Sequence, residues 1–141
     1  MKIEEALAFV DNLKPNQYDD QVKIKWLSDL DGKIFKEVIK THDLPWVEVE
    51  KISEITGEPY TVLEQIEPVY VGYTENDMSK ELLVSEPYSD IYTYYIFAMI
   101  DFHNQEMDRY TNSMLMFNAK YDEFAAYYNR TYRPMSYTPK Y

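Results

Sequence analysis

The sequence predicts a mainly α chain: a helical bundle or αα-hairpin with a central irregular arm that contains a small β-hairpin. Three observations point there. Apolar residues recur at helical spacing through the first 41 residues and again after residue 87. Between these stretches, or at their border, fall four of the seven prolines (Pro45, Pro59, Pro68, Pro87) and two of the three glycines, and there a period of two replaces the helical one. Finally, 141 residues with a hydrophobic fraction of 45% suit one ordinary domain with a core of its own. The expected layout is a single domain over 1–141. Its helical ends cover 1–41 and 87–132, its arm 43–86, and an extended tail 133–141.

The first helix is expected over 2–13, where Ile3, Leu7 and Val10 share one face and Glu4, Glu5, Asp11 and Asn12 the other. Glu4 and Glu5 complement the helix dipole in the first turn, and Pro15 ends the helix by disfavouring helical geometry before it. Asp19 or Asp20 caps a second helix that reaches residue 41. Val22, Trp26 and Leu30 form one row on it, and Leu27, Leu30, Ile34 and Val38 a neighbouring one. Gly32 interrupts the pattern at a cost of about 1 kcal/mol relative to alanine. It marks a kink or a place where another backbone approaches closely. Asp29 and Asp31, two residues apart, fall on different faces and read as solvated charges.

In the arm, residues 46–49 and 69–73 alternate with branched and aromatic side chains, which favours strand. Such a long irregular segment suits a partner-binding extension. From 90 to 102 nearly every side chain is apolar, the signature of a helix buried by more than one neighbour. Residues 103–105 read as a bend. Beyond it Met107, Tyr110, Met114, Phe117, Tyr121, Phe124 and Tyr128 follow at alternating spacings of three and four. This stripe is expected to pack on the 90–102 helix, and the tail beyond Arg130 to be ordered only against a neighbour.

Composition narrows the function. The chain has no cysteine, so thiolate metal sites and disulfides are excluded. With 14 basic against 25 acidic residues its net charge is −11, which opposes tight binding to nucleic acid. That acidity serves solubility, or a surface that must sit beside DNA without adhering to it, or one that imitates DNA. No apolar run is long enough to span a membrane, and Glu4, Glu5 and Asp11 break any leader-like stretch. A soluble protein made in the cytoplasm is expected. His42 and His103 lie in no nucleophile motif, and Gly32, Gly57 and Gly72 are too scattered for a phosphate loop. His103 and Glu106 share a helical face, but a carboxylate-bridged metal bundle needs far more ligands. The chain is therefore read as a non-enzyme with no cofactor and no metal. Fifteen tyrosines, twelve of them after residue 70, suit surfaces buried in an assembly. The candidate interface residues are Val69, Val71 and Tyr73 in the arm, with Tyr127, Tyr132, Tyr137 and Tyr141 at the end.

Residues 10–16 (VDNLKPN), 25–34 (KWLSDLDGKI), Glu81-Leu82-Leu83-Val84, Pro87-Tyr88 and the stretch from Asn112 to Thr131 resemble small prophage proteins of Gram-positive bacteria. Those proteins are encoded among head and tail morphogenesis genes and are similar to helical head–tail connector (adaptor) proteins. The resemblance covers both helical ends, while 42–78 lies outside it. It implies a homo-oligomeric ring in the virion that joins portal to tail and extends the DNA channel. Portal and tail-completion proteins would be its partners, and it brings no catalytic residue with it. An acidic protein-binding module, such as a DNA-mimic inhibitor of a host enzyme, is the alternative.

Overall fold

The apolar row of the first helix is buried as a unit: Ile3, Leu7 and Val10, joined by Ala6, all turn inward from α1 (Ile3–Leu13). The computed structural model describes residues 1–42, 46–65 and 68–132. Among these, α1 is followed by α2 (Asp20–Ile34), β1 (Trp46–Ile52), β2 (Pro59–Gln65), α3 (Asp90–His103) and α4 (Met107–Thr131). The chain is thus mainly α, with one small two-stranded antiparallel sheet among the described residues. No described helix is long and apolar enough to cross a membrane.

The expected second helix changes form before its end. After Ile34 it widens into a π-helical turn, Phe35–Ile39, in which the Lys40 amide donates to the Phe35 carbonyl at 2.8 Å. The widening follows Gly32 closely, at the point where the helix must also accommodate the ring of Tyr70. A side chain at position 32 would place its Cβ 3.2 Å from that ring. Gly32 therefore marks a close approach, by a side chain.

The core gathers Leu27, Leu30 and Ile34 from α2, Ile91, Tyr92, Ile96 and Ile100 from α3, and Phe117 and Phe124 from α4. Each such side chain contributes about 1.5–3 kcal/mol on full burial. The stripe on α4 faces this core unevenly. Phe117 and Phe124 are buried, Tyr110, Met114, Tyr121 and Tyr128 are half-buried, and Met107 is exposed. The Tyr95 and Phe117 rings lie 5.2 Å apart, which ties α3 to α4. Tyr121 instead donates to Glu37 at 2.7 Å, so the far half of α4 also leans on the π-turn.

Polar groups join the helices where apolar ones do not reach. Fully buried Asp101 on α3 pairs with Lys14 at the end of α1, and it accepts from Ser113 of α4 at 3.1 Å. Buried Lys23 of α2 reaches Asp11 of α1 at 2.6 Å. No side chain caps α1. Its first amides are taken by the chain itself, Ile3 donating to the Lys80 carbonyl at 3.1 Å and Glu4 to that of Met78 at 2.9 Å.

The segment 68–84 corrects two expectations. Residues 69–73 form no strand, and the partner of β1 is β2, with Trp46 opposite Gln65 and Ile52 opposite Pro59. The alternation runs only to Gly72 and serves side chains: Val69 and Val71 are exposed while Tyr70 turns onto α2, and Tyr73, which a period of two would place with the valines, turns onto α2 as well. Tyr70 donates to the Ser28 carbonyl at 2.5 Å, and the Tyr73 amide to the Ser28 hydroxyl at 3.2 Å. Asp31, read from spacing as a solvated charge, is fully buried. Its carboxylate accepts from the Tyr73 hydroxyl, from Tyr92 at 2.6 Å and from the Leu83 amide at 3.1 Å. The segment folds over Asp31 and buries it, which no spacing rule on α2 alone could show. Burial and the neighbouring carboxylate push both tyrosine hydroxyls above the ordinary tyrosine value, so both stay donors.

Burial pushes the Asp31 carboxyl above its ordinary 3.8, and hydrogen bonds from Tyr73, Tyr92 and Leu83 pull against that rise. The folded chain thus holds this proton more firmly than the unfolded chain. The associated stabilisation is complete below 3.8 and is lost as pH rises through the raised value. Melting curves should therefore show the advantage of the native chain over Asp31→Asn shrinking as pH rises from 4 toward neutrality. Asp31→Ala leaves three donors facing no acceptor and should cost about 3 kcal/mol near pH 4, with the cost shrinking in parallel as pH rises. Gly72 has a φ of +78°, and a Cβ there would meet the Ser28 hydroxyl at 2.9 Å. Chemical denaturation of Gly72→Ala should accordingly show a loss of about 1–3 kcal/mol.

Candidate interaction surface

The β1–β2 hairpin exposes large apolar side chains, and none of its residues 46–65 is buried. Trp46, Ile52 and Leu63 are 64%, 71% and 62% exposed, and Ile55 at the tip is 95% exposed. Its alternation is strand-like, yet neither face rests in the core, so the usual reason for an apolar strand residue is missing. The turn closes through the Ser53 amide on the Glu58 carbonyl at 3.0 Å. The Ser53 hydroxyl accepts from the Ile55 and Thr56 amides, each at 3.3 Å. Ile55 is held out by this turn.

Charge marks the same element. Residues 46–65 contain Glu48, Glu50, Glu54, Glu58 and Glu64 against a single basic residue, Lys51. Lys51 pairs with Glu64 across the strands, which leaves four glutamates toward the tip and outer face without that neutralisation. An acidic ribbon studded with isolated apolar side chains fits a partner with apolar sockets and a basic rim.

Four residues before β1, buried His42 meets the end of α4. Its Nδ1 lies 2.5 Å from the Val38 carbonyl and its Nε2 2.8 Å from Asn129 Oδ1. The ring also meets Tyr128 edge-on at 4.5 Å. His103, by contrast, ends α3 and stacks on Trp26 at 5.4 Å, while Asn104 beside it accepts from Tyr18 at 2.7 Å. It helps fix the α3–α4 turn, where Gln105 takes a φ of 61°. Among the described residues no cluster of three or more His, Asp or Glu could hold a metal.

The candidate interface residues fall into different settings. Val69 and Val71 are about four-fifths exposed, at 80% and 79%, and lie on the outer side of the segment that covers Asp31. Tyr73 is half-buried and engaged by Asp31. Tyr127 is half-buried and stacks on Tyr88 at 4.7 Å. Tyr132 is exposed, with its ring 4.4 Å from Tyr128. Tyr137 and Tyr141 lie outside the described residues. Sequence reasoning missed Trp46, Ile52, Ile55 and Leu63 as surface residues. The available signal was that Glu48 and Glu50 share the strand face of Trp46 and Ile52, which marks that face as solvent-facing.

No family model, curated protein or solved structure matches the chain.

Limited proteolysis checks how far the hairpin is independent of the helices. Glu-specific cleavage should begin within 46–65, at Glu54 or Glu58, because exposed turns open most readily. First cuts inside α3 would contradict this order.

Proposed function

We propose that the chain is a structural adaptor of head–tail assembly, working as a homo-oligomeric ring that joins a portal to the tail and extends the DNA channel. It acts by binding, without catalysis or a cofactor, and its place is the virion. In this reading the helices are a bundle in which α3 and α4 form an αα-hairpin, and the bundles stand side by side around the ring. The observation that supports it best is the β1–β2 hairpin. An element that exposes Trp46, Ile52, Ile55 and Leu63 is suited to reach a neighbouring protein, because solvation alone gives these side chains no reason to be apolar. Exposed Val69, Val71 and Tyr132 widen the surface available to neighbours. The net charge of −11 also suits a channel component, since carboxylates repel phosphates and let DNA slide.

The test is electron microscopy of the purified protein, alone and with a portal ring. Rings or portal-capping density are expected for the native chain. Ile55→Glu should abolish capping while leaving the melting temperature within a degree or two, because Ile55 makes no core contribution. A native chain that stays monomeric at every concentration and ignores portal would overturn the reading.

A further inference from the structure

We propose that the hairpin tip of one copy of the chain seats on Val69 and Val71 of a second copy. The inference deepens the ring reading above and rests on its self-association. At the tip, Ile55 follows Glu54, and Glu58 comes three residues later; all three are exposed. The turn presents them in a fixed form. The Ser53 hydroxyl accepts from the Ile55 and Thr56 amides, and Gly57 takes a φ of +73°. At 95% exposure Ile55 has no seat among the described residues of its own chain.

The seat is preformed. Val69 and Val71 are 80% and 79% exposed, yet Tyr70 between them is anchored. It donates to the Ser28 carbonyl, stacks on Phe35 at 5.9 Å and packs over Gly32. Cations mark the same place. Gly32 and Phe35 lie beneath Tyr70, and each is followed by an exposed lysine, Lys33 and Lys36. Between Gly32 and Ile39 these two face a single acid, Glu37, which is engaged by the Tyr121 hydroxyl at 2.7 Å. In a chain of net charge −11 that is a local excess of positive charge.

Charge selects this seat and this occupant. Leu115 and Met116 on α4 are also exposed, but the basic residues on either side of them, Arg109 and Lys120, are paired with Glu106 and Glu123. A second hairpin sets glutamates against glutamates. On Val69 and Val71, by contrast, Ile55 gains apolar cover while Glu54 and Glu58 approach Lys33 and Lys36. Tip and seat are different patches, so the contact is heterologous: each copy uses both, and the series closes into a ring where the rotation permits.

The chain has no cysteine, so engineered thiols report the contact directly. Ile55→Cys chains mixed with Val71→Cys chains under mild oxidation should give the mixed disulfide in roughly tenfold excess over either homodimer, because a seated pair holds its thiols within bonding distance. Lys33→Glu with Lys36→Glu on the Val71→Cys chain should remove that excess. Glu54→Lys with Glu58→Lys on the Ile55→Cys chain should restore it. Every substituted position is exposed, so the variants keep the native fold. Products in the proportions of random collision overturn the proposal, as does a loss that reversal at the tip fails to restore. A chain carrying both thiols that closes on itself at every dilution overturns it too, by assigning the seat to its own hairpin. Portal plays no part in this measurement. Rings seen without the mixed disulfide sink the contact and leave the adaptor reading standing, and the disulfide without portal capping does the reverse.

Discussion

The fold depends on one carboxylate. Asp31 lies fully buried on α2, and its three partners come from two places: Tyr73 and Leu83 in the covering segment, and Tyr92 in α3. Moving a charge or a polar acid out of water is unfavourable, and only a full set of donors offsets the loss. Here the donors belong to segments far apart in sequence, so the acid is satisfied only when all of them have arrived. Tyr92 extends the network by accepting from the Val84 amide at 2.7 Å. One side chain thereby anchors a segment whose regular structure amounts to the short 3-10 turn Glu75–Asp77 and the Lys2–Glu81 bridge.

The rest of the helical body is arranged around that joint. The covering segment continues to Met78 and Lys80, whose carbonyls take the first amides of α1, and a bridge links Lys2 with Glu81. The start of α1 is therefore placed by the same segment that Asp31 holds. Lys14–Asp101 closes the opposite end of α1 onto α3. Both joints are buried on one side and cooperative, the kind of contact whose loss is felt beyond its own residues. The β1–β2 hairpin shares none of this. Its residues are exposed or half-exposed, and its ion pair, Lys51–Glu64, is at the surface, where such pairs contribute little. A body locked by buried acids and a ribbon left outside it are physically different parts of one chain.

The helices were legible from sequence because their apolar rows are long. Ile3, Leu7 and Val10, or Phe117 and Phe124, need only the helical period to be placed on the inner face. The arm was less legible because two segments share the same period for different reasons. Residues 46–52 form a hydrogen-bonded strand, whereas 69–72 alternate because Tyr70 fills the gap above Gly32 while Val69 and Val71 stay exposed, and Tyr73 leaves that period to reach Asp31. Period alone cannot distinguish a ladder from a row of side chains seated on a helix. Asp31 was misread for a related reason: position on a helix says which face a residue occupies, not whether a distant segment will cover that face. Gly32 and Gly72 were the available signals. Both lie where the covering segment meets α2, and both are small because a Cβ would strike Tyr70 or Ser28.

The division between body and ribbon bears on how such a chain could work. A partner that binds the helical body must compete with contacts already satisfied, since the polar side-chain atoms buried in the described residues all have partners. A partner that binds the ribbon displaces only water from Trp46, Ile52, Ile55 and Leu63, and it gains apolar area without disturbing the core. The four glutamates that accompany them add a directional requirement. An acidic partner is repelled, including a second ribbon of the same chain, and a basic one is drawn in. Apolar groups supply the attraction and carboxylates restrict who can use it. The hairpin can be altered by a partner while Asp31 keeps the helices where they are.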